Sequence, residues 1–279
     1  MKYVISGRHD SKGVVGDDSP DLGRYYELGW ECVVSNVEIK NLLEQGVINK
    51  NDTIVTREDR KFIYSSVFNN VIDWDEFKKL NIPQDNCINI DYFGSLRNTN
   101  YSKVNKELIC DFNLIDDIEE KYNINENFIC YCVRLRDHCD YRNSSVDDAK
   151  KTIQRLKNEF GIKIFVVGQN TEFLCDGENI IHVGLREFAS LMSSSYCKCC
   201  ISKLSGIIHL ANFCGHENLV NLIYDPAQDR MRAGEDHPLF MGDTINYKDT
   251  TNIFIEDKEN EDLTIELIKN HVFNTNDNL

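Results

Sequence analysis

The chain has 279 residues, of which 41% are hydrophobic and 28% charged, and its formal net charge is -15. That balance describes an ordinary folded protein with room for one large domain or two of roughly 100–150 residues. No apolar run reaches the roughly 20 residues of a membrane helix, and both halves are acidic, which counts against a basic domain built around nucleic-acid phosphates.

"MKYVISGRHD" has too short an apolar core for a secretory signal, so a cytoplasmic chain is expected and "KYVIS" reads as a first strand. "WECVVS" (30–35) and "DTIVT" (52–56) are two further β-branched runs, and between them "NVEIKNLLEQGVI" has helical spacing. Residues 57–80 read as helix, then a turn through "NNV", then a second helix. "CINI" (87–90) is a weak strand, and 103–124 contains a helix with a charged exit. The second half restarts the rhythm. Strands are expected at 127–135, 162–168, 179–184, 196–202 and 218–224. Helices are expected at 145–161, stopping at Gly161, at 185–195, at 206–214 and in the tail at 262–273. Strand and helix in alternation favour parallel sheets with crossover helices.

Eleven cysteines invite a zinc reading, but "CYC" (130–132) and "CKCC" (197–200) lack the paired C-x₂-C spacing that structural zinc uses. The first sits inside an apolar run and the second leads into a further strand, and buried reduced thiols are the expectation for both.

Ligands of open parallel sheets bind beyond the carboxyl ends of the strands, where helix N-termini point. Three stretches sit there: "RLRDHCDYRN" after the first strand of the second half, "GQNTE" with Gln169, and "SKLSG". In the last, Ser202, Lys203, Ser205 and Gly206 lead into a helix whose unpaired N–H groups suit an anion, with His209 one turn in. An N-capped core helix, with His209 bonded to a neighbour, is the competing reading. Arg134, Arg136 and Asp137 leave a buried strand together, which suits an anion with Asp137 orienting one guanidinium. A solvated charged loop is the alternative there. Arg230, Arg232 and Glu235, with His237, form a polar loop that either closes over a donor or makes an oligomer contact.

"LREFASLMSSSYCKCCISKLSGIIHLANFCG" resembles the nucleotide-sugar half of GT-B glycosyltransferases, the heptosyltransferases above all. Their pattern runs Leu-x-Glu-hydrophobic-Ala-x-Leu, a strand, then Asp-Thr/Ser-Gly-x-x-His-Leu-Ala. Leu185, Glu187, Ala189, Leu191, Ser205, Gly206, His209, Leu210 and Ala211 match it, and Leu204 stands where the family has its Asp. "CVRLRDH" is more weakly similar to the His-x-Arg-Arg-x-Asp motif of fucosyltransferases. Arg134 and Asp137 keep the register, while Cys132 and Leu135 replace the His and the second Arg.

The resemblance covers residues 127–224. The fold would be α/β, two Rossmann-like domains with parallel sheets in GT-B architecture and a cleft between them. An acceptor-side domain would span 1–125 and a nucleotide-sugar domain 126–279. The activity would be glycosyl transfer of hexosyl, heptosyl or fucosyl type, from a nucleotide-diphosphate sugar to an acceptor hydroxyl. It would need no metal and no cofactor beyond that co-substrate. Arg134 would contact the donor diphosphate. Heptosyltransferases carry a catalytic Asp in the loop after strand one, which makes Asp10 the expected base and His9 the alternative; "DSKG" is also a good turn sequence. "GDDSPD" is the nearest candidate for a metal site and lies in a loop. A glycan or lipid-linked glycan is the default acceptor, with a modified DNA base as the minority option. A sugar-nucleotide epimerase of the same architecture, or a non-catalytic nucleotide-binding module, are the other readings.

Overall fold

The structure is a computed structural model that describes residues 1–6, 32, 35–90, 117–133, 146–168, 180–203, 206–214, 219–224, 250–255, 265, 266 and 269. The chain divides into two compact units, Met1–Leu114 and Ile115–Leu279. Residues 117–125, grouped above with the first half, therefore fall in the second unit.

In the first unit, β1 (Tyr3–Ile5) leads to α1 (Asn36–Glu44), β2 (Thr53–Thr56) and a 3-10 turn at Glu58–Ile63. β3 (Asn70–Asp73), α2 (Trp74–Lys79) and β4 (Cys87–Asn89) follow. All four strands are parallel, in the order β3-β2-β1-β4. One face of this sheet carries Tyr3, Ile5 and Val55, on which α2 lays Trp74 and Phe77. The start of α2 is fixed by a reciprocal cap. Asp73 Oδ1 accepts the Glu76 N–H at 2.8 Å, and Glu76 Oε2 accepts the Asp73 N–H at 2.9 Å. Such a box satisfies two helix-end donors at once.

Two expectations are corrected here. Cys32 and Ser35, the described residues of the supposed strand at 30–35, have helical backbone leading into α1, with Ser35 at φ -65 and ψ -47. A short apolar run satisfies a buried helical turn as well as a strand. The supposed turn between helices near residue 70 is the edge strand β3.

The second unit opens with α3 (Ile118–Lys121) and β5 (Phe128–Cys132), followed by α4 (Val146–Phe160), β6 (Lys163–Val167) and β7 (Ile180–Val183). Then come α5 (Leu185–Met192), β8 (Cys197–Lys203), α6 (Gly206–Phe213), β9 (Leu219–Tyr224) and β10 (Thr250–Ile255). The sheet is parallel throughout, in the order β10-β9-β8-β5-β6-β7. Counted from β5, this is the 3-2-1-4-5-6 order of a dinucleotide-binding sheet.

α4 buries Ala149, Ile153 and Leu156, a stripe at helical spacing, against Ile129, Tyr131, Ile164 and Val166. It ends as its sequence demands. Gly161 takes φ 63 and returns its N–H to Lys157 O at 2.8 Å, a conformation that costs glycine nothing. Ile265, helical in the tail, buries in the same cluster, and Lys269 pairs with Glu159 on α4 at 3.1 Å. Among the described residues no helix is long and apolar enough to cross a membrane.

The cysteines of β5 and β8 are free thiols, and Cys130, Cys132, Cys197, Cys199 and Cys200 are all buried. Cys132 Sγ and Cys200 Sγ lie 3.7 Å apart. Burial pushes the Cys130 and Cys199 thiols well up, and for Cys200 the Cys132 contact adds to burial. Thiols held protonated in this way are inert packing groups. A bulge between Phe128 and Ile129 pairs these residues with Cys197 and Cys199, skipping Lys198. The bulge lets Cys199 join the α4-side core with Ile129, while Cys200 meets Cys132.

Candidate functional site

Strand order reverses between β5 and β8 in the second unit, and a crevice at such a reversal is where open α/β sheets take ligands. The last residues of these two strands are the ones singled out from the sequence. Cys132 pairs with Ser202, and Lys203 ends β8. Arg134 comes two residues after Cys132 in the chain, and Gly206 opens α6 three residues after Lys203. The topology thus gathers at one sheet edge two segments separated by some seventy positions in sequence, a coincidence that spacing alone did not impose.

The helices that follow the two central strands, α4 after β5 and α6 after β8, differ in charge where they start. α4 opens with Val146 and the exposed Asp147, which puts a carboxylate at the positive end of the helix dipole. α6 opens with Gly206, Ile207 and Ile208 and has no acidic residue in its first turn. An anion is therefore better received by α6. Along α6, Ile208, Leu210, Ala211 and Phe213 are buried, whereas Gly206 and His209 are both half-buried one turn apart. Loss of hydration pulls His209 down to about 4, so its imidazole is neutral at neutral pH. A neutral ring carries one N–H and one lone pair and no charge. Ser202 is almost wholly buried, with 1% of its surface exposed.

The remaining pattern residues build structure. Ala189 and Leu191 are buried in the core. Glu187 caps the start of α5 by accepting the Gly184 N–H at 3.1 Å. The same carboxylate takes the Tyr122 hydroxyl at 2.7 Å and pairs with Lys121, tying α3 to α5. Ser194 donates to Glu119 at 2.6 Å at the other end of that contact. Burial opposes ionisation of Glu187, but the Lys121 and Tyr122 contacts outweigh it and lower its pKa. Burial and the Glu187 contact together raise the Tyr122 phenol.

His9, Asp10, Arg134, Arg136, Asp137, Gln169, Ser205, Arg230, Arg232 and Glu235 lie outside the described residues, as do the side chain of Lys203 and the "GDDSPD" stretch. Their nearest described neighbours are Ser6 at the end of β1, Val133 after β5 and Gly168 after β6. In the first sheet the order reverses between β1 and β4, so the segment carrying His9 and Asp10 leaves β1 at that sheet's own switch point. Among the described residues, no three His, Cys, Asp or Glu side chains converge to hold a metal. One contact at the ligand edge was not anticipated. His182 Nε2 meets the Gly168 carbonyl at 3.1 Å, and its only trace in the sequence is a histidine inside a weak strand.

Two parallel Rossmann-like units, each with a switch point at its carboxyl edge, define the GT-B fold. Solved structures that resemble the chain include heptosyltransferases and a glycosyl transferase family 9 protein. ADP-heptose LPS heptosyltransferase II of E. coli superposes with a TM-score of 0.57 over 99% of either chain, at 10% identity. The glycosyl transferase family 9 protein of Veillonella parvula DSM 2008 gives 0.52 at 11% identity, over 96% of this chain and 90% of its own. E. coli heptosyltransferase WaaC with ADP gives 0.50 at 10% identity, over 96% and 97%. No family model and no curated protein matches the sequence. At these identities the likeness establishes the fold, which is that of the heptosyltransferases.

Proposed function

We propose that the chain is a glycosyltransferase that moves a sugar from a nucleoside-diphosphate sugar to an acceptor hydroxyl without a metal. The observation that carries this reading is the meeting of β5 and β8 at the switch point of the second sheet. There the acid-free start of α6 and the ends of both strands share one edge. A diphosphate at that edge would find the α6 N–H groups, Lys203 and Ser205 from one side and Arg134 from the other. The neutral His209 would add a hydrogen bond and leave charge neutralisation to those cations. Direct displacement then needs a base for the acceptor hydroxyl, and Asp10, following β1 at the first sheet's switch point, is assigned that part. The leaving diphosphate is stabilised by cations and helix N–H groups, an arrangement that needs no divalent ion.

The two E. coli structures are named for ADP-heptose and for ADP, which supports a nucleoside-diphosphate donor and suggests where to begin. The test is a melting-temperature panel of ADP, GDP, UDP and CDP and their sugars, because a ligand bound only by the folded state raises the transition. One diphosphate should shift it, with or without excess EDTA. No shift by any of them would overturn the reading, and a shift abolished by EDTA and restored by manganese would overturn the metal-free part.

A further inference from the structure

Parallel register sets one row of side chains across the carboxyl end of the first sheet. Ile72 lies beside Val55, Val55 beside Ile5, and Ile5 beside Asn89. Register partners share a face, and the three aliphatic members of the row join Trp74 and Phe77 of α2 in one apolar cluster. Asn89, the last residue of β4, continues that row with a carboxamide. The backbone at this corner is paired: the Ile90 N–H goes to the Ile5 carbonyl at 3.1 Å, and the Ser6 N–H to the Val55 carbonyl at 2.9 Å. The Asn89 side chain is not. Its Oδ1 is shut off from solvent and has no hydrogen-bond partner among the described residues, although the residue as a whole is half-buried. A carboxamide oxygen that has lost water without gaining a donor costs free energy, and an aliphatic side chain in the same row would not.

We infer that Asn89 is an acceptor-binding residue: its carboxamide oxygen takes a hydrogen bond from a hydroxyl of a sugar acceptor at the switch point of the first sheet. The inference rests on the glycosyl-transfer reading given above. β1 and β4 flank that switch point, where an open parallel sheet takes its ligand, and Asn89 ends β4 there. A carboxamide turns about a broad sp³–sp² torsion, so the oxygen of a half-buried residue reaches the open side at small cost. A sugar presents several hydroxyls, and one of them supplies the donor that the oxygen lacks. The carboxamide oxygen accepts a hydrogen bond but takes no proton, so it holds a neighbour of the reacting hydroxyl and orients the acceptor. A polar group satisfied only with ligand in place also rejects an acceptor that lacks the matching hydroxyl.

The experiment uses the full chain in three forms: wild type, Asn89→Leu and the smaller Asn89→Val, both of which complete the aliphatic row without an acceptor atom. Thermal unfolding of the ligand-free proteins is read first, and at least one variant should melt at or above the wild-type temperature. Binding is then read by saturation-transfer NMR with the methyl glycosides of glucose, galactose, mannose and N-acetylglucosamine. At least one glycoside should bind wild type, and the stable variant should bind it about tenfold more weakly. The melting shift produced by a nucleoside diphosphate should stay as in wild type. Lower melting temperatures in both variants overturn the inference, because the carboxamide would then hold the sheet together. Equal glycoside affinity in variant and wild type, or no glycoside bound by wild type, overturns it too. Glycoside binding that depends on Asn89, in a protein whose melting no nucleoside diphosphate shifts, would leave the sugar site standing and sink the transfer reading instead.

Discussion

His209 shows how a helix can take the charge from an imidazole while leaving its hydrogen-bonding atoms in place. Its neighbours on α6 are apolar, and the loss of hydration brings its pKa from 6.5 down to about 4. The folded protein therefore resists protonation that the unfolded chain accepts. Between pH 6.5 and 4 the unfolded state binds more protons, so the contribution of the neutral ring is whole above pH 6.5 and is lost as pH falls towards 4. Replacing His209 by Gln should flatten the fall of the urea midpoint across that window while leaving stability at pH 8 within about 1 kcal/mol. Parallel acid profiles for the two proteins would mean that the ring is hydrated. In the proposed reading, the same neutrality leaves the cationic share of diphosphate binding to lysine and arginine. Donor affinity should accordingly not change through the protonation of this ring between pH 6.5 and 8.

α2 is the element whose start depends most on one side chain. Asp73 accepts the Glu76 N–H and Glu76 answers on the Asp73 N–H, while Lys61 pairs with both carboxylates at 3.4 and 3.0 Å. Removing the cap with Asp73→Ala should cost about 1 kcal/mol in urea unfolding, and Asp73→Ser, which can still cap, should cost less. Equal losses would place the effect in the lysine pair and not in the cap. The Asp-x-x-Glu spacing of this cap is visible in the sequence, as are the amphipathic stripe of α4 and the glycine that ends it. Other elements left weaker traces. β3 is four residues long and half exposed, so no apolar run announces it, and its sequence reads as a turn. β10 is a six-residue edge strand, "TTNIFI", next to a charged stretch, and Asn252 breaks the alternation that would announce it. Cys32 and Ser35 show the opposite error, since β-branched neighbours suggested a strand where the backbone is helical. In each case burial and pairing, which sequence spacing carries only in part, decided the outcome.

At the scale of the whole molecule, strand order is what the sequence could not supply. Alternation of strands and helices gave parallel sheets, but it could not say that β8 lies beside β5, which is what brings Ser202 and Lys203 to the strand that leads to Arg134. The residue types were legible through the Ser-Gly-x-x-His stretch; their meeting was not. The division into two units also gives the proposed reaction two separable halves. Asp10 follows β1 in the first unit and Arg134 follows β5 in the second, each beyond the end of a central strand next to its own sheet's switch point. A base that takes a proton only as the new bond forms contributes to the transition state and not to donor binding. Asp10→Asn should therefore leave the calorimetric Kd for the nucleoside diphosphate unchanged and lower turnover by roughly 10²–10⁴. Arg134→Ala would remove the proposed charge-assisted partner, worth roughly 1.5–3 kcal/mol, so it should weaken the diphosphate itself by about 10- to 150-fold. Should Asp10→Asn keep its turnover while His9→Ala loses it, the base is His9. If both variants turn over like wild type, the segment after β1 takes no part in proton transfer. If Arg134→Ala binds the diphosphate as tightly as wild type, the anion is held by α6 and Lys203 without help from β5.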